Sequence, residues 1–479
     1  MTAGSVLVDG AWWRTETGAD VVNPADTDQV VGRVEWATPG LVEQSGAAAA
    51  QAFGTWRRTS AGERAALLLR IADRLDHQRE PLARLAVAEQ GKTLPEALGE
   101  VDRGAATFRY FAGQALDPTG DLLAPIKPGA LSYAQRVPLG PIAVITPFNF
   151  PILVPCWKLA PALAFGDTVV WKPSEATSLT AAALAQVLVD AGLPPGCVNL
   201  VPGGADIGAA VVALPQLRGV TFTGSTAVGR TIQRALAGRS VAAQLELGGK
   251  NPAVVLADAP AEATAASILK GIASGTGQRC TALSRALVPR QRHDELVEAL
   301  SVAADQWRMG DGLDPGSMAG PLTTASARAR IDASIAEARA RGGSAITAGT
   351  VTSDRPGWWT HPTIVTGLAA TDPLAVTELF GPVLVVLPHD GLDHAVELAN
   401  ATPFGLNAAV YTGDLAAAMA AIDRIEAGMV QVNADAGVAA HVPFIGVGDS
   451  GFGPSEQGPW AREFFTRAKA VNIHPGGQG

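Results

Sequence analysis

The sequence predicts an α/β protein built from two doubly wound blocks, and three observations carry that prediction. Short apolar runs of four or five residues alternate with longer helix-period segments across residues 142–236, and again across 252–425. A double glycine, Gly248-Gly249, falls between the two blocks. The 479 residues are 47% apolar and only 17% charged, against about 25% charged in ordinary soluble proteins. Parallel strands buried on both faces produce such a deficit of charge.

In chain order, residues 40–115 read mainly as helices, with apolar residues three and four apart over 63–75 and 82–89. Residues 127–137 read as an extended arm ending at a proline. Strand 142–145 opens the first alternation. Helix 153–163, strand 168–171 and helix 179–191 follow, the last stopped by Gly192. Strand 198–201, helix 206–213, strand 219–223 and helix 226–236 complete the block. The second block runs through strand 252–256, helix 261–273, strand 286–288 and helices 294–307 and 325–340. It ends with strand 383–387, helix 392–400, strand 408–411 and helix 415–425.

Composition excludes several classes. A formal charge of −9 argues against nucleic acid as the ligand. Three cysteines cannot staple a chain this long, and their odd number suits a reducing compartment; a cytoplasmic location is expected. Residues 1–14 lack the pattern of a signal peptide. The apolar window 138–166 holds six prolines plus Asn149 and Lys158, so no spanning helix fits there. The seven histidines are scattered, and no metal site is expected. Cys156 and Cys197, in apolar and proline-flanked surroundings, read as packing residues. Gly446-Val447-Gly448-Asp449-Ser450-Gly451 fits a GxGxxG pattern, but no βαβ unit follows it. It reads as a flexible glycine loop. Its embedded Gly-Asp-Ser-Gly lacks the all-β, disulfide-bonded context of a serine protease.

Chemistry-bearing residues collect elsewhere. Thr223-Gly224-Ser225 joins a strand to a helix start, which suits a pyrophosphate and is equally explained by an N-cap serine. Glu246-Leu247-Gly248-Gly249-Lys250 sets a carboxylate against the double glycine. Gly275-Thr276-Gly277-Gln278-Arg279-Cys280 ends a glycine-rich loop with a thiol. Alone, Cys280 is as often a small buried residue as a nucleophile. Arg279 beside it need not touch the thiol.

Further segments join these in order: Pro147-Phe148-Asn149-Phe150-Pro151, Trp171-Lys172-Pro173-Ser174-Glu175, Glu378-Leu379-Phe380-Gly381-Pro382, Thr402-Pro403-Phe404-Gly405-Leu406 and Pro443-Phe444. Over nearly its whole length the chain resembles the hydrolytic, NAD(P)-dependent aldehyde dehydrogenase superfamily. That resemblance implies an NAD(P)-binding domain (1–119 and 140–247) and a catalytic domain (248–445). It also implies a small β oligomerisation arm (120–139 and 446–479), with a homodimer or homotetramer as the assembly. Cys280 matches the nucleophile, Asn149 the oxyanion-hole amide and Glu246 the base that hydrolyses the thioester. The glutamate implies a free acid product rather than a coenzyme A ester.

For the cofactor the resemblance points to Thr146, Pro147, Phe148, Lys172, Glu175, Gly224, Ser225, Gly229, Leu247, Gly248, Glu378 and Phe380. Glu175 would repel a 2′-phosphate and favours NAD, although relatives with such a glutamate use either NAD or NADP. Phe150, Leu153, Trp157, Val438 and Phe444 map to the substrate tunnel. Arg103 maps to its mouth, where it either binds a distal carboxylate or is a solvated helix-face arginine. The runs Arg109-Tyr110-Phe111-Ala112-Gly113, Gly277-Gln278-Arg279-Cys280-Thr281-Ala282 and Glu456-Gln457-Gly458 resemble α-ketoglutaric semialdehyde dehydrogenases most. A neutral aliphatic or aromatic aldehyde is the alternative substrate, and a cofactor-independent cysteine esterase the alternative activity. Ile445 stands where many relatives carry glycine, which bears on tunnel size.

Overall fold

Alternate residues of the central strands face two different cores. Ile142 and Val144 join one apolar cluster while Ala143 and Ile145 join another, so strand Pro141–Ile145 is buried on both faces. The computed structural model describes residues 4–117 and 119–474; the extreme ends of the outermost expected ranges lie outside the described residues.

Five parallel strands form the centre of an eight-stranded sheet in the order Val198–Leu200, Thr168–Lys172, Pro141–Ile145, Gly219–Thr223, Ala242–Glu246. The chain winds one way from Pro141–Ile145 and then returns to add strands on the other side. Ile145 pairs with Lys172 and with Phe222, and Thr223 pairs with Glu246. The carboxyl ends of these strands therefore line one crevice at a topological switch point, where open α/β sheets bind ligands. A seven-stranded sheet forms the second block, parallel from Thr363–Thr366 through Val383–His389, Leu283–Pro289, Asn251–Val255 and Asn407–Tyr411 to Met429–Val432. Only residues 247–250 separate the last strand of the first alternation from the first strand of the second.

The third sheet is antiparallel. Leu131–Pro138 pairs along its length with Thr466–Ile473, and on its other side with Gly120–Leu123. Leu122 and Ile126 are exposed on this arm. Helix Leu153–Phe165 carries Pro161 inside it, and all but its last residue are buried. Among the described residues no helix is long and apolar enough to cross a membrane.

The glycine loop differs from its expected flexibility. Val447–Gly448 pairs with Phe404–Gly405, and Gly451–Phe452 pairs with Leu245 and Glu246 at the edge of the first sheet. Ser450 is fully buried, accepting from Leu247 N at 2.9 Å and from Gly405 N at 3.0 Å. Glycines here allow close backbone packing rather than motion.

Candidate active site

Cys280 is placed by a loop no ordinary sequence could follow. Gly275, Thr276 and Gly277 are successive left-handed residues, with φ of +59°, +57° and +68°. A β-carbon on Gly277 would stand 2.3 Å from the Gly381 carbonyl carbon, so the approach of the two loops requires glycine there. Two buried asparagines fix the chain beyond. Asn251 Nδ2 donates to the carbonyls of Cys280 and Ala282, at 2.7 and 2.9 Å, and Asn407 Nδ2 donates to that of Thr281 at 3.2 Å.

The thiol faces a cavity of about 1210 Å³. Thr146, Pro147, Phe148, Lys172, Glu175, Gly224, Ser225, Leu247, Gly248, Glu378 and Phe380 line it. Asn149, Phe150, Leu153, Trp157, Val438, Phe444 and Arg103 line it too. Two sequence-predicted residues do not line it. Gly229 packs against Leu247, where a β-carbon would lie 2.5 Å from Leu247 Cδ2. Glu246 is buried behind the wall, next to the Lys158–Glu456 ion pair.

Asn149 Nδ2 donates to Gln278 O at 2.8 Å, which fixes the amide beside the thiol loop and leaves its second N–H available. Asn149 O accepts from Lys92 Nζ at 2.7 Å, and Lys92 is ion-paired with buried Glu100. Glu100 in turn accepts from the backbone N–H groups of Ile152 and Leu153, 3.2 and 3.1 Å away. This chain ties Asn149 to the start of the tunnel helix. Trp157 and Phe444 pack with ring centroids 5.1 Å apart, in a small apolar cluster that includes Leu153 and touches Phe150, Val438 and Cys280.

Burial dominates the electrostatics. It pushes the Cys280 thiol up to about 12, with the Glu378 and Glu246 charges adding to the rise and Arg279 opposing it. Glu378 is raised to about 7 by burial, held back by a hydrogen bond from Gly249 N at 3.1 Å and by Lys250 and Arg330. A β-carbon on Gly248 would lie 2.1 Å from Glu378 Oε2, so only glycine lets this carboxylate in. Glu246 is lifted well above the usual carboxylate range by burial and by Glu456, while Lys158 opposes that rise. Its Oε2 has no partner.

The crevice side has the makings of a nucleotide site. Thr223 Oγ1 is buried in the wall without a partner, next to the start of helix Thr226–Leu236 capped by Ser225. An unsatisfied hydroxyl and free helix N–H groups fit a pyrophosphate. Lys172 lines the same space, 3.9 Å from Glu175, with its pKa lowered by burial. Among the described residues no group of three or more His, Cys, Asp or Glu is arranged to hold a metal ion.

Other residues gain a place that the sequence left open or did not show. Arg279 reaches the cavity wall, donates to Gly271 O at 2.9 Å and lies 3.5 Å from Asp435. Lys158 and Glu456 meet across 298 residues, and one signal was available: a lysine inside an apolar helix needs a buried carboxylate.

A thiol between a nucleotide-type crevice and an apolar tunnel, with an amide and a high-pKa carboxylate at hand, defines a cofactor-dependent, thiol-based oxidoreductase. The comparisons give the family. The profile described as aldehyde dehydrogenase family matches residues 12–471. The chain is 37% identical to the alpha-ketoglutaric semialdehyde dehydrogenase of Bacillus subtilis, over 98% of each protein. It is 39% identical to the phenylacetaldehyde dehydrogenase of Pseudomonas fluorescens, over 98% of this chain and 95% of that one. Betaine aldehyde dehydrogenase from Staphylococcus aureus in complex with NAD+ superposes with a TM-score of 0.94 at 31% identity, covering 98% of this chain and 94% of that one. PnpE in complex with nicotinamide adenine dinucleotide gives 0.94 at 36% identity, covering 98% and 97%. The chain belongs to the aldehyde dehydrogenase family, and it is an enzyme that oxidises aldehydes.

Proposed function

We propose that the protein oxidises a semialdehyde carrying a remote carboxylate, of the α-ketoglutaric semialdehyde kind, to the dicarboxylic acid with NAD. The observation that carries this reading is the place of Cys280, in the wall common to the strand-end crevice and the apolar tunnel. Two guanidiniums in the same wall support a carboxylate substrate. Arg103 and Arg279 are close enough to repel, and Arg279 Nε is buried without a partner. The likeness to an alpha-ketoglutaric semialdehyde dehydrogenase at 37% identity agrees with it.

The neutral Cys280 thiol must lose its proton as sulfur attacks the aldehyde carbon. That proton passes to solvent through the cavity, so Glu246 stays available for the hydrolysis step. The oxyanion of the thiohemiacetal is received by the free N–H of Asn149 and the backbone N–H of Cys280, each worth about 3 kcal/mol. When bound, NAD supplies the hydride acceptor that carries the reaction to the thioester on Cys280. Glu246 then takes a proton from the water that releases the acid. The cofactor would be held by Lys172 and Glu175 at the adenosine ribose, by Ser225 and its helix start at the pyrophosphate, and by Glu378 and Phe380 at the nicotinamide end. In this reading residues 1–119 and 140–247 bind the cofactor and 248–445 carry the thiol. The arm of 120–139 and 446–479, with Leu122 and Ile126 exposed, pairs subunits into a homodimer or homotetramer. Three free cysteines agree with a cytoplasmic enzyme.

A neutral aromatic aldehyde is the second reading, favoured by the Trp157–Phe444 pair and by the phenylacetaldehyde-specific relative. Absorbance at 340 nm with NAD and a panel of acidic and neutral aldehydes tests both. NADH formation that vanishes in Cys280→Ala, with kcat/KM highest for the semialdehyde and about tenfold lower in Arg103→Ala, is the expected result. No NADH from any aldehyde defeats the dehydrogenase reading. Equal kcat/KM for neutral and acidic aldehydes, with Arg103→Ala without effect, defeats the semialdehyde reading.

A further inference from the structure

Asn149 is held at both ends, and the two holds come from distant parts of the chain. Its side-chain amide donates to Gln278 O at 2.8 Å, in the loop that carries Cys280. Its main-chain carbonyl accepts from Lys92 Nζ at 2.7 Å, just before helix Leu94–Gln114. Lys92 is also ion-paired with Glu100 on that helix, and the Phe150 ring centroid lies 4.6 Å from its Nζ. The three N–H groups of the ammonium thus have three acceptors. Both ions are almost wholly buried, at 5% and 0% exposure, and both stand outside the cavity wall. The segment around Lys92 is itself wedged against the thiol loop. Gln90 Nε2 donates to Thr323 Oγ1 at 3.1 Å, and Thr323 N to Gln278 Oε1 at 3.0 Å. Glu96 Oε1, in the first turn of the helix, accepts from Gly275 N at 2.8 Å.

An ion pair this deep is a poor source of stability, because taking two charges out of water costs about as much as their attraction returns. A neutral pair of similar volume fills the same space at little or no loss. What a neutral pair cannot supply is a donor to the Asn149 carbonyl. That peptide belongs to the residue whose free amide N–H receives the oxyanion. Such a donor works only when it is aimed at the place the oxygen will take. A shift of about 1 Å in that aim costs about a hundredfold in rate.

We propose that Lys92 is a positioning residue for the oxyanion hole: by holding the Asn149 carbonyl it aims the Asn149 amide, while Glu100 holds the ammonium in place. The inference rests on the reading of Asn149 as an oxyanion donor, and extends it to a residue outside the cavity wall. Lys92 acts through Asn149 alone, so its removal should matter only while that amide is present.

The test compares aldehyde oxidation, thermal midpoint and alkylation of Cys280 by iodoacetamide in four proteins: wild type, Lys92→Met paired with Glu100→Gln, Asn149→Ala, and all three changes together. Lys92→Met by itself strands a buried carboxylate and destabilises for that reason alone. The paired change removes both charges and keeps an acceptor for the N–H groups of Ile152 and Leu153. The paired variant should keep its midpoint within about 2 °C of wild type. Its alkylation rate should also hold, since that reaction forms no oxyanion. Its kcat should fall about a hundredfold with KM for NAD unchanged. Asn149→Ala should cost at least as much, and adding the paired change to it should lower kcat no further. Wild-type kcat in the paired variant overturns the inference, and so does a fall that recurs in full on the Asn149→Ala background. Midpoint and alkylation rate falling together with kcat would make the pair structural and overturn it as well. Wild-type turnover in Asn149→Ala overturns the oxyanion reading itself, and the inference with it.

Discussion

Glu246 ends strand Ala242–Glu246 of the first sheet, Glu378 enters from the loop before strand Val383–His389 of the second, and both charges raise the Cys280 thiol. Their own surroundings differ. Glu378 lines the cavity, accepts a hydrogen bond from Gly249 and has two cations near it, so burial lifts it only to about 7. Glu246 lies behind the wall, where burial and the neighbouring carboxylate of Glu456 lift it well above the usual carboxylate range against Lys158 and a backbone hydrogen bond from Gly446. Its Oε2 has no partner. An anchored carboxylate is suited to holding a ligand in place. One that is short of hydrogen bonds and rich in proton affinity is suited to exchanging protons. In the proposed mechanism the two glutamates divide the work of binding and base catalysis.

The largest effect should fall on turnover. In Glu246→Gln the thioester forms but has no base to hydrolyse it, so kcat drops about 10³-fold. A rapid-mixing trace at 340 nm should keep a burst of about one NADH per site before the steady state stalls. Glu378→Gln should keep steady turnover and raise KM for NAD about tenfold, because a positioning contact is weakened rather than a proton acceptor lost. A burst followed by stalled turnover in Glu378→Gln, and not in Glu246→Gln, would exchange the two roles.

A smaller effect, on stability, comes from the pair that stands behind Glu246. Lys158 is ion-paired with Glu456 and hydrogen-bonded to Thr221 Oγ1 at 2.8 Å, and both ions are almost wholly buried. Lys158→Met leaves Glu456 alone in the interior, at a cost of about 3–5 kcal/mol, read as a fall in thermal midpoint. Lys158→Met combined with Glu456→Leu removes both charges and should recover most of that loss. A midpoint unmoved by the single change would mean that the environment of Glu246 is wetter than its burial implies.

How much of this was legible in the sequence follows from the range of each interaction. The parallel cores were, because Pro141–Ile145 and Thr168–Lys172 are apolar on both faces and need no partner to be recognised. Ala242–Glu246 was not seen as a strand. Its first residues are exposed or half-buried and its pattern is short, and pairing with Gly219–Thr223 and Gly451–Phe452 makes it one. The hairpin of Gly18–Asn23 and Asp26–Glu35 was missed because its largely polar, exposed second strand shows no clean alternation. At the site, the residues carried over from the family resemblance converge on one cavity, with Glu246 and Gly229 just behind it. The carboxylate that adds to the burial-raised proton affinity of Glu246 could not be read locally, since Glu456 joins it only through tertiary folding.

The smallest expected effect is on the pH dependence of stability. The unfolded chain gives up the Glu378 proton near its ordinary value of 4.5, and the folded chain keeps it to about 7. Stability from the neutral carboxyl is therefore complete below pH 4.5, falls between 4.5 and 7, and is gone above 7. Glu378→Gln cannot ionise, so its thermal midpoint should gain on wild type by about 2 °C between pH 5 and pH 8. Part of that gain is screened, because Glu378 touches the solvent-filled cavity. Glu246→Gln should show the same sign, because burial raises that carboxyl as well. Midpoint differences that stay flat with pH in both variants would mean that neither carboxyl is held neutral by the fold.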